Sequence, residues 1–364
     1  MRSAQVRLVL ISLTIFLLGL TMIFSTTSAE LIEGAKEETH SQLIKQLLFA
    51  GVGATLAYGL MKLKVEWVLE KSPILINAAC VLLVLVLLPG IGREVNGSKR
   101  WINLFGFSFQ PSEFVKFIVP AFFIHAYLSL KDNSLKTFLK LLGKCAIPIV
   151  LIVVEPNNGT ALVIAAALCV AFFLLDIPFK YWAIPLALFL FVGVIFASQL
   201  PYVTKRLKVY VDPESDLKGK GHQPYQAKIA AGSGGLLGKG PAQSLQKLSY
   251  LPEAQNDYIA AIWAEEFGFL GVLVLISLYM ALGLTAFEIA SSADNPAFMA
   301  FGGVIAFLIT FQSFLNLGVV SGLLPSTGLN LPLFSQGGTS LMANMAGLTL
   351  LYQIADKKVC QSAS

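Results

Sequence analysis

Lys247 to Gly271 reads KLSYLPEAQNDYIAAIWAEEFGFLG. A polar, proline-marked segment runs straight into an apolar helical pattern, and Asp257 stands where one becomes the other. A carboxylate at a membrane boundary is costly to keep. One set where a lipid-borne group meets a water-soluble one is a candidate for chemistry. Pro252, Glu253, Asn256 and Asp257 also suit the first turn of a helix, where acids complement the dipole and Asn or Asp caps. Residue physics leaves both readings open. Further in, residues 257, 261 and 265 share one helical face. In a continuous helix Glu265 lies about 12 Å beyond Asp257, at 1.5 Å per residue. Adjacent acids such as Glu265 and Glu266 inside a span require a polar cavity, a basic partner or a proton.

Composition sets the class. The chain has 364 residues, 56% hydrophobic and 13% charged, with a mean hydropathy of +0.73. Soluble domains carry about 25% charged residues, so the expected fold is all-α and polytopic in a membrane. The net charge of +5 comes from scattered basic residues, which gives no support to nucleic-acid binding. Cys80, Cys145, Cys169 and Cys360 are far apart and form no CxxC pair, so neither a metal site nor a disulfide framework is suggested. His40, His125 and His222 are isolated. His125, in an apolar helical pattern, reads as packed and hydrogen-bonded rather than as a ligand. Arg2 and Arg7, the apolar run Leu8 to Phe24 and the small residues Ser25 to Ala29 outline a secretory signal. That run is nevertheless close to the roughly 20 residues a span requires. More spans follow, so a retained first helix is expected.

Ten apolar runs approach spanning length, near 6–25, 43–62, 73–91, 112–130, 143–155, 159–176, 180–199, 257–286, 297–321 and 335–355. Ten spans put both termini on one side. With the termini cytoplasmic, that side holds Arg2, Arg7, Lys62, Lys64, Lys71, Lys131, Lys136, Lys140, Lys144, Lys180, Lys357 and Lys358. The short outer loops hold Lys36, Arg93, Lys99 and Arg100, with Lys45 ambiguous. This asymmetry satisfies the positive-inside rule and makes the long loop, about 200–256, extracytoplasmic. The chain reads as a single domain over residues 1–364, with no P-loop, no GxGxxG after a strand and no HExxH.

Four polar-rich segments then face the same side. In Asn96 to Phe114, Trp101 suits a lipid headgroup level, Ser112 and Glu113 start a helix, and Lys116, just beyond, is a charge within an apolar run that needs a partner or an aqueous cavity. Glu113 lies one turn from it. Glu155-Pro156-Asn157-Asn158-Gly159-Thr160 reads as a tight turn. The long loop carries Arg206, Gln223, Gln226, Lys239, Ser244, Gln246 and the glycines Gly232 to Gly240. Backbone amides freed by glycine, with Arg and Lys nearby, can hold phosphate oxygens. Leu323 to Ser340 is rich in proline and glycine and predicts irregular backbone shielded at the membrane edge.

Taken in order, these segments resemble the SEDS family, the polytopic proteins of bacterial shape, elongation, division and sporulation, over roughly residues 5 to 355. The match is carried by Asn96-Gly97 with Arg100-Trp101, Gln110 to Glu113, Gly159-Thr160, Gln223 and Gln226, Pro252-Glu253-Ala254 with Asp257, Glu265-Glu266 with Gly268, and the block Leu324 to Ser340. Ser244 to Ala254 resembles the FtsW branch more than the RodA branch.

The resemblance implies a peptidoglycan glycosyltransferase that polymerises lipid II at the outer face of the bacterial cytoplasmic membrane, alongside a class B penicillin-binding protein and divisome or elongasome proteins. It implies Asp257 as the catalytic base. It implies substrate contacts from Arg100, Trp101, Gln110, Glu113, Lys116, Arg206, Gln226, Lys239, Gln246, Glu253 and Ser335. Mg²⁺ or Mn²⁺ could bridge Asp257 to the diphosphate. A lipid II flippase, with Lys116, Glu265 and Glu266 lining the path, and a non-catalytic scaffold are the alternatives. The chain departs from the family where His-Thr before the key Asp becomes Gln255-Asn256, where Gln-Pro-Asp becomes Glu155-Pro156-Asn157, and where Ser-Tyr-Gly-Gly becomes Ser335-Gln336-Gly337-Gly338. Neither Gln255 nor Asn256 supplies an imidazole, so a proton relay there would need another group.

Overall fold

In a computed structural model, residues 2–32, 41–95, 98–104, 107–130, 132, 134–199, 201–216, 219, 221–248, 251 and 254–361 are described. The protein is a helical membrane protein. Its helices are α1 (Arg2–Ile32), α2 (Ser41–Leu87), α3 (Ser112–Leu128), α4 (Leu135–Val154), α5 (Asn158–Leu174), α6 (Phe179–Gln199), α7 (Pro201–Val211), α8 (His222–Ser233), α9 (Ile259–Ser291), α10 (Pro296–Val320) and α11 (Gly338–Gln361). Apolar runs of this length become helices because lipid offers no partner for backbone polar groups. Among the described residues five helices meet both length and hydropathy for a span, α1, α2, α4, α9 and α10. Each of the ten expected runs falls on a helix. Two share α2, which turns at Lys64 (φ 68, ψ 157).

Helix α2 packs along α11 and α3, α9 along α10 and α1, and α10 along α5. The centre is filled by Phe123, Phe138, Phe301, Phe334 and their aliphatic neighbours. Large apolar side chains left outside, among them Ile184, Leu284 and Phe314, point outward, where a bilayer covers them. One end of the bundle gathers the end of α1, the start and end of α2, the starts of α3, α5, α9 and α11, and the ends of α4 and α10. The four polar-rich segments therefore do meet at one end. At the opposite end Arg7 of α1 pairs with Glu288 of α9.

Three features differ from the sequence expectation. The all-α reading omits an antiparallel sheet of order β1 (Gly92–Val95), β2 (Ser98–Leu104) and β3 (Phe107–Phe109). It is bulged between Arg93 and Glu94, and it carries Arg100 and Trp101. The span expected from 257 begins instead at Ile259, after turns over 254–258, and breaks at Gly268 (φ 64, ψ −164). The long loop is largely helical: α7, a 3-10 turn at Pro213–Asp216, and α8, which packs on α9.

Candidate functional site

The sheet turns Arg100 inward, since alternate strand residues face opposite ways. Lys99 is exposed opposite Glu94, while Arg100 and Ile102 are buried. Arg100 Nε donates to the carbonyl of Glu155 at 3.2 Å, and Nη2 donates to the carbonyl of Pro156. The guanidinium thereby closes the C-terminal end of α4, where carbonyls lack helical partners. Its Nη1 reaches toward Gly328. A Cβ placed on Gly328 would lie 4.0 Å from that nitrogen and 3.8 Å from Asp257 Oδ2. The guanidinium and the Asp257 carboxylate thus flank one small space, kept open by a glycine at φ +72.

Asp257 is half-buried in the turn that leads into α9. Asn316 Nδ2, on α10, donates to its carbonyl at 2.8 Å and to the carbonyl of Leu329 at 2.8 Å. One amide thus ties the acid's backbone to the irregular segment that holds Gly328. The turn between α4 and α5 closes the other wall. Asn157 donates to Ser112 Oγ at 3.1 Å, and Gly159 fits against Thr327, whose carbonyl a Cβ would approach to 2.8 Å. Glu155 is 0% exposed, and neither carboxylate oxygen has a hydrogen-bond partner. Burial pushes its carboxyl up to about 8, and the nearby Arg100 charge pulls the other way.

A polar chain continues from there. Lys116, 1% exposed on α3, donates to Glu113 Oε2 and to Gln312 Oε1, both at 2.8 Å. Gln312 Nε2 donates to the Asn330 carbonyl, and Asn330 Nδ2 donates to the Gln336 carbonyl. The Gln336 amide donates to the Gln255 carbonyl, and Gln255 Nε2 donates to Gln42 at 2.9 Å. Gln255 is therefore a tether between α2 and the 331–337 segment. Ser335 Oγ accepts from the Leu331 amide, and its carbonyl accepts from Gln46. Gln110 joins through its amide to Thr339 Oγ1 and through Nε2 to Ser112 Oγ.

Of the expected site residues, Arg100, Gln110, Glu113, Lys116, Ser335 and Asp257 lie on this assembly. Trp101 lies on β2 opposite Arg93, half-buried. Lys239 and Gln246 belong to a second cluster. Glu265, within α9, accepts from Lys239 Nζ at 2.6 Å, from the hydroxyls of Ser233 and Ser244, and from the amides of Leu245 and Gln246. Glu266 pairs with Lys247 at 2.8 Å and accepts from Ser25 of α1 and the Ala242 amide. The glycine-rich segment does not offer its amides as a phosphate cradle. Lys239 and Gly240 donate theirs to the carbonyls of Glu265 and Glu266, while Phe269 and Leu270 donate to Gly235 and Leu236. The helical bonds broken at Gly268 are remade sideways. Gln226 lies half-buried on α8. Arg206 falls on α7 with its side chain outside the described residues, as is Glu253 altogether.

Gln312 and Asn316, which hold Lys116 and Asp257, were missed from the sequence, although two amides four residues apart on an apolar span are the available signal. Glu155 was read as part of a plain turn. Among the described residues no three His, Cys, Asp or Glu side chains come together. A divalent cation at Asp257 would therefore draw most of its ligands from a substrate diphosphate and water, as Mg²⁺ commonly does.

Comparison with known proteins places this arrangement in context. Residues 5–359 match the family of cell cycle proteins typified by FtsW, RodA and SpoVE. The chain is 36% identical over 354 residues to a probable peptidoglycan glycosyltransferase FtsW of Marinobacter nauticus, covering 95% of this chain and 88% of that protein. It is 35% identical to stage V sporulation protein E of Bacillus subtilis, covering 97% of each. Among solved structures, a chain from a study of how a peptidoglycan synthase complex coordinates polymerization and crosslinking superposes with a TM-score of 0.77 at 28% identity, covering 96% of this chain and 97% of that one. The rod shape determining protein RodA of Thermus thermophilus superposes at 0.68 with 27% identity, covering 96% of each chain.

Proposed function

The chain belongs to the FtsW, RodA and SpoVE family of cell cycle proteins, and we propose that it is a peptidoglycan glycosyltransferase polymerising lipid II at the outer face of a bacterial cytoplasmic membrane. Both termini then lie in the cytoplasm, and the end of the bundle that holds Asp257 faces out. The observation that carries this reading is the convergence of Arg100 and the Asp257 carboxylate on the space beside Gly328. A carboxylate and a fixed cation at one membrane edge match the two demands of the reaction.

Asp257 takes the proton of an acceptor sugar hydroxyl. The oxygen attacks the donor's anomeric carbon and forms the new glycosidic bond. The bond from that carbon to the lipid diphosphate breaks, and its electron pair leaves with the diphosphate. General-base help of this kind is worth about 10² to 10⁴ in rate. Arg100 meets the charge that develops on the leaving group, as preorganised donors do. The charges that a translocation path would need, Lys116, Glu265 and Glu266, are each engaged in an ion pair inside the bundle, which favours the enzyme over a flippase. A class B penicillin-binding protein is the proposed partner, with division or side-wall growth as the setting.

Purified protein supplied with labelled lipid II, with and without its cognate transpeptidase, tests the proposal. The wild type should make glycan chains. Asp257→Asn should remain folded in the membrane and lose at least about 10²-fold of that activity. Undiminished polymer from Asp257→Asn would remove Asp257 from the mechanism.

A further inference from the structure

Glu155 is a buried acid that the mechanism above does not use and that, unlike Glu113, Glu265 and Glu266, has no hydrogen-bond partner on its carboxylate. It is fully enclosed at the C-terminal end of α4, and no donor reaches either carboxylate oxygen. Two physical effects oppose its charge. Burial without hydrogen bonds penalises the ionised form. The negative end of the α4 dipole adds to that. One effect favours the charge, the guanidinium of Arg100. That guanidinium cannot drift away, because Nε and Nη2 are bound to the carbonyls of Glu155 and Pro156. The same guanidinium faces Asp257 across Gly328.

We propose that Glu155 is a positioning residue that sets how much positive charge Arg100 presents to the substrate diphosphate. With Glu155 protonated, Arg100 presents more of its positive charge at the leaving-group position. With Glu155 ionised, its negative charge offsets part of the guanidinium's charge and the diphosphate is held less tightly. The inference rests on the glycosyltransferase reading, and deepens it by assigning a control on one half of the site.

The surroundings leave this pair to act largely on its own. On α3, Glu113 and Lys116 are paired with each other and joined to Gln312. On β2, Lys99 is exposed on the face away from Arg100. The last turns of α2 and α10, the first turn of α5 and the segment 327–330 carry no ionisable side chain. Asp257 is the other titratable group that shares Arg100. The enclosure that removes solvent from Glu155 raises its carboxyl to about 8. The sign follows: below that pH the acid is neutral and adds nothing against the Arg100 charge, and above it Glu155 brings a second negative charge to the guanidinium that Asp257 already faces.

The test is a pH series on the full-length protein with its cognate transpeptidase in vesicles, measuring KM and kcat for labelled lipid II from pH 6.5 to 9. In the wild type, KM should rise about tenfold between pH 7 and pH 9, as one group titrates through its range. In Glu155→Gln it should stay flat, and in Glu155→Asp the rise should persist. A flat wild-type KM overturns the proposal without recourse to any variant, and so does a rise in Glu155→Gln parallel to the wild type. Thermal unfolding in detergent checks that the variants fold. If the wild type makes no glycan at any pH, the glycosyltransferase reading fails instead, and the two failures are told apart.

Discussion

At the scale of single residues, the site is built from charges whose need for compensation was legible and from amides of which Gln312 and Asn316 were not read. Lys116 could be foreseen as needing either a partner or an aqueous cavity, because an ammonium within an apolar run is costly, and Glu113 lies one turn away. The structure shows the pair, closed by Gln312. Removing one member should cost more than removing both. Lys116→Met leaves the Glu113 carboxylate buried and unpaired, at about 3–5 kcal/mol. Lys116→Met with Glu113→Gln should recover most of that loss, read as the unfolding midpoint in detergent. Arg100 makes a different prediction. Its planar fork caps two carbonyls and still presents Nη1 to the site, which a single ammonium cannot do. Arg100→Lys should lower kcat/KM for lipid II by about 10- to 100-fold, the worth of one or two charge-assisted bonds. The role of Gln255 was not legible. Its partner Gln42 is 213 positions away, and nothing local marks the contact.

At the scale of elements, the apolar helices were legible and the joins between them were not. Spanning length is a property of composition, so every run was found. The strands β1, β2 and β3 have four, seven and three residues, too short for an alternation to stand out. The break in α9 depends on two glycines 30 positions apart. A Cβ on Gly268 would collide with the Gly238 amide nitrogen, and one on Gly238 would collide with the Glu266 carbonyl. Gly268→Ala faces that clash together with a backbone conformation essentially reserved for glycine (φ 64, ψ −164), itself worth about 1–3 kcal/mol. It should loosen the 234–248 segment from α9, seen as faster proteolysis there while α10 and α11 stay protected. The glycines read as a phosphate cradle serve this junction, since an amide bound to a carbonyl is not free for an anion.

At the scale of the whole molecule, the polar ends of alternate spans were expected on one side, and they do converge at one end of the bundle. The proposal that this end meets the outer compartment rests on the distribution of the basic residues. In a background without Cys80, Cys145, Cys169 and Cys360, a cysteine at Lys99 should react with an impermeant thiol reagent in intact cells. One at Asp132 should react only after the membrane is opened. The reverse pattern would invert the topology and set Asp257 on the wrong side for the proposed reaction. The partners of the site also arrive in an order. Lys116 enters the bilayer with Glu113 beside it, but Gln312 lies 196 positions later. At about 5–20 residues per second, the ribosome delivers that amide roughly 10 to 40 seconds afterwards. Asn316, which fixes the Asp257 turn, emerges later still. During synthesis the first half of the chain is thus an inserted but unfinished scaffold, and a nascent polypeptide halted before α10 would reach the membrane without assembling a working centre.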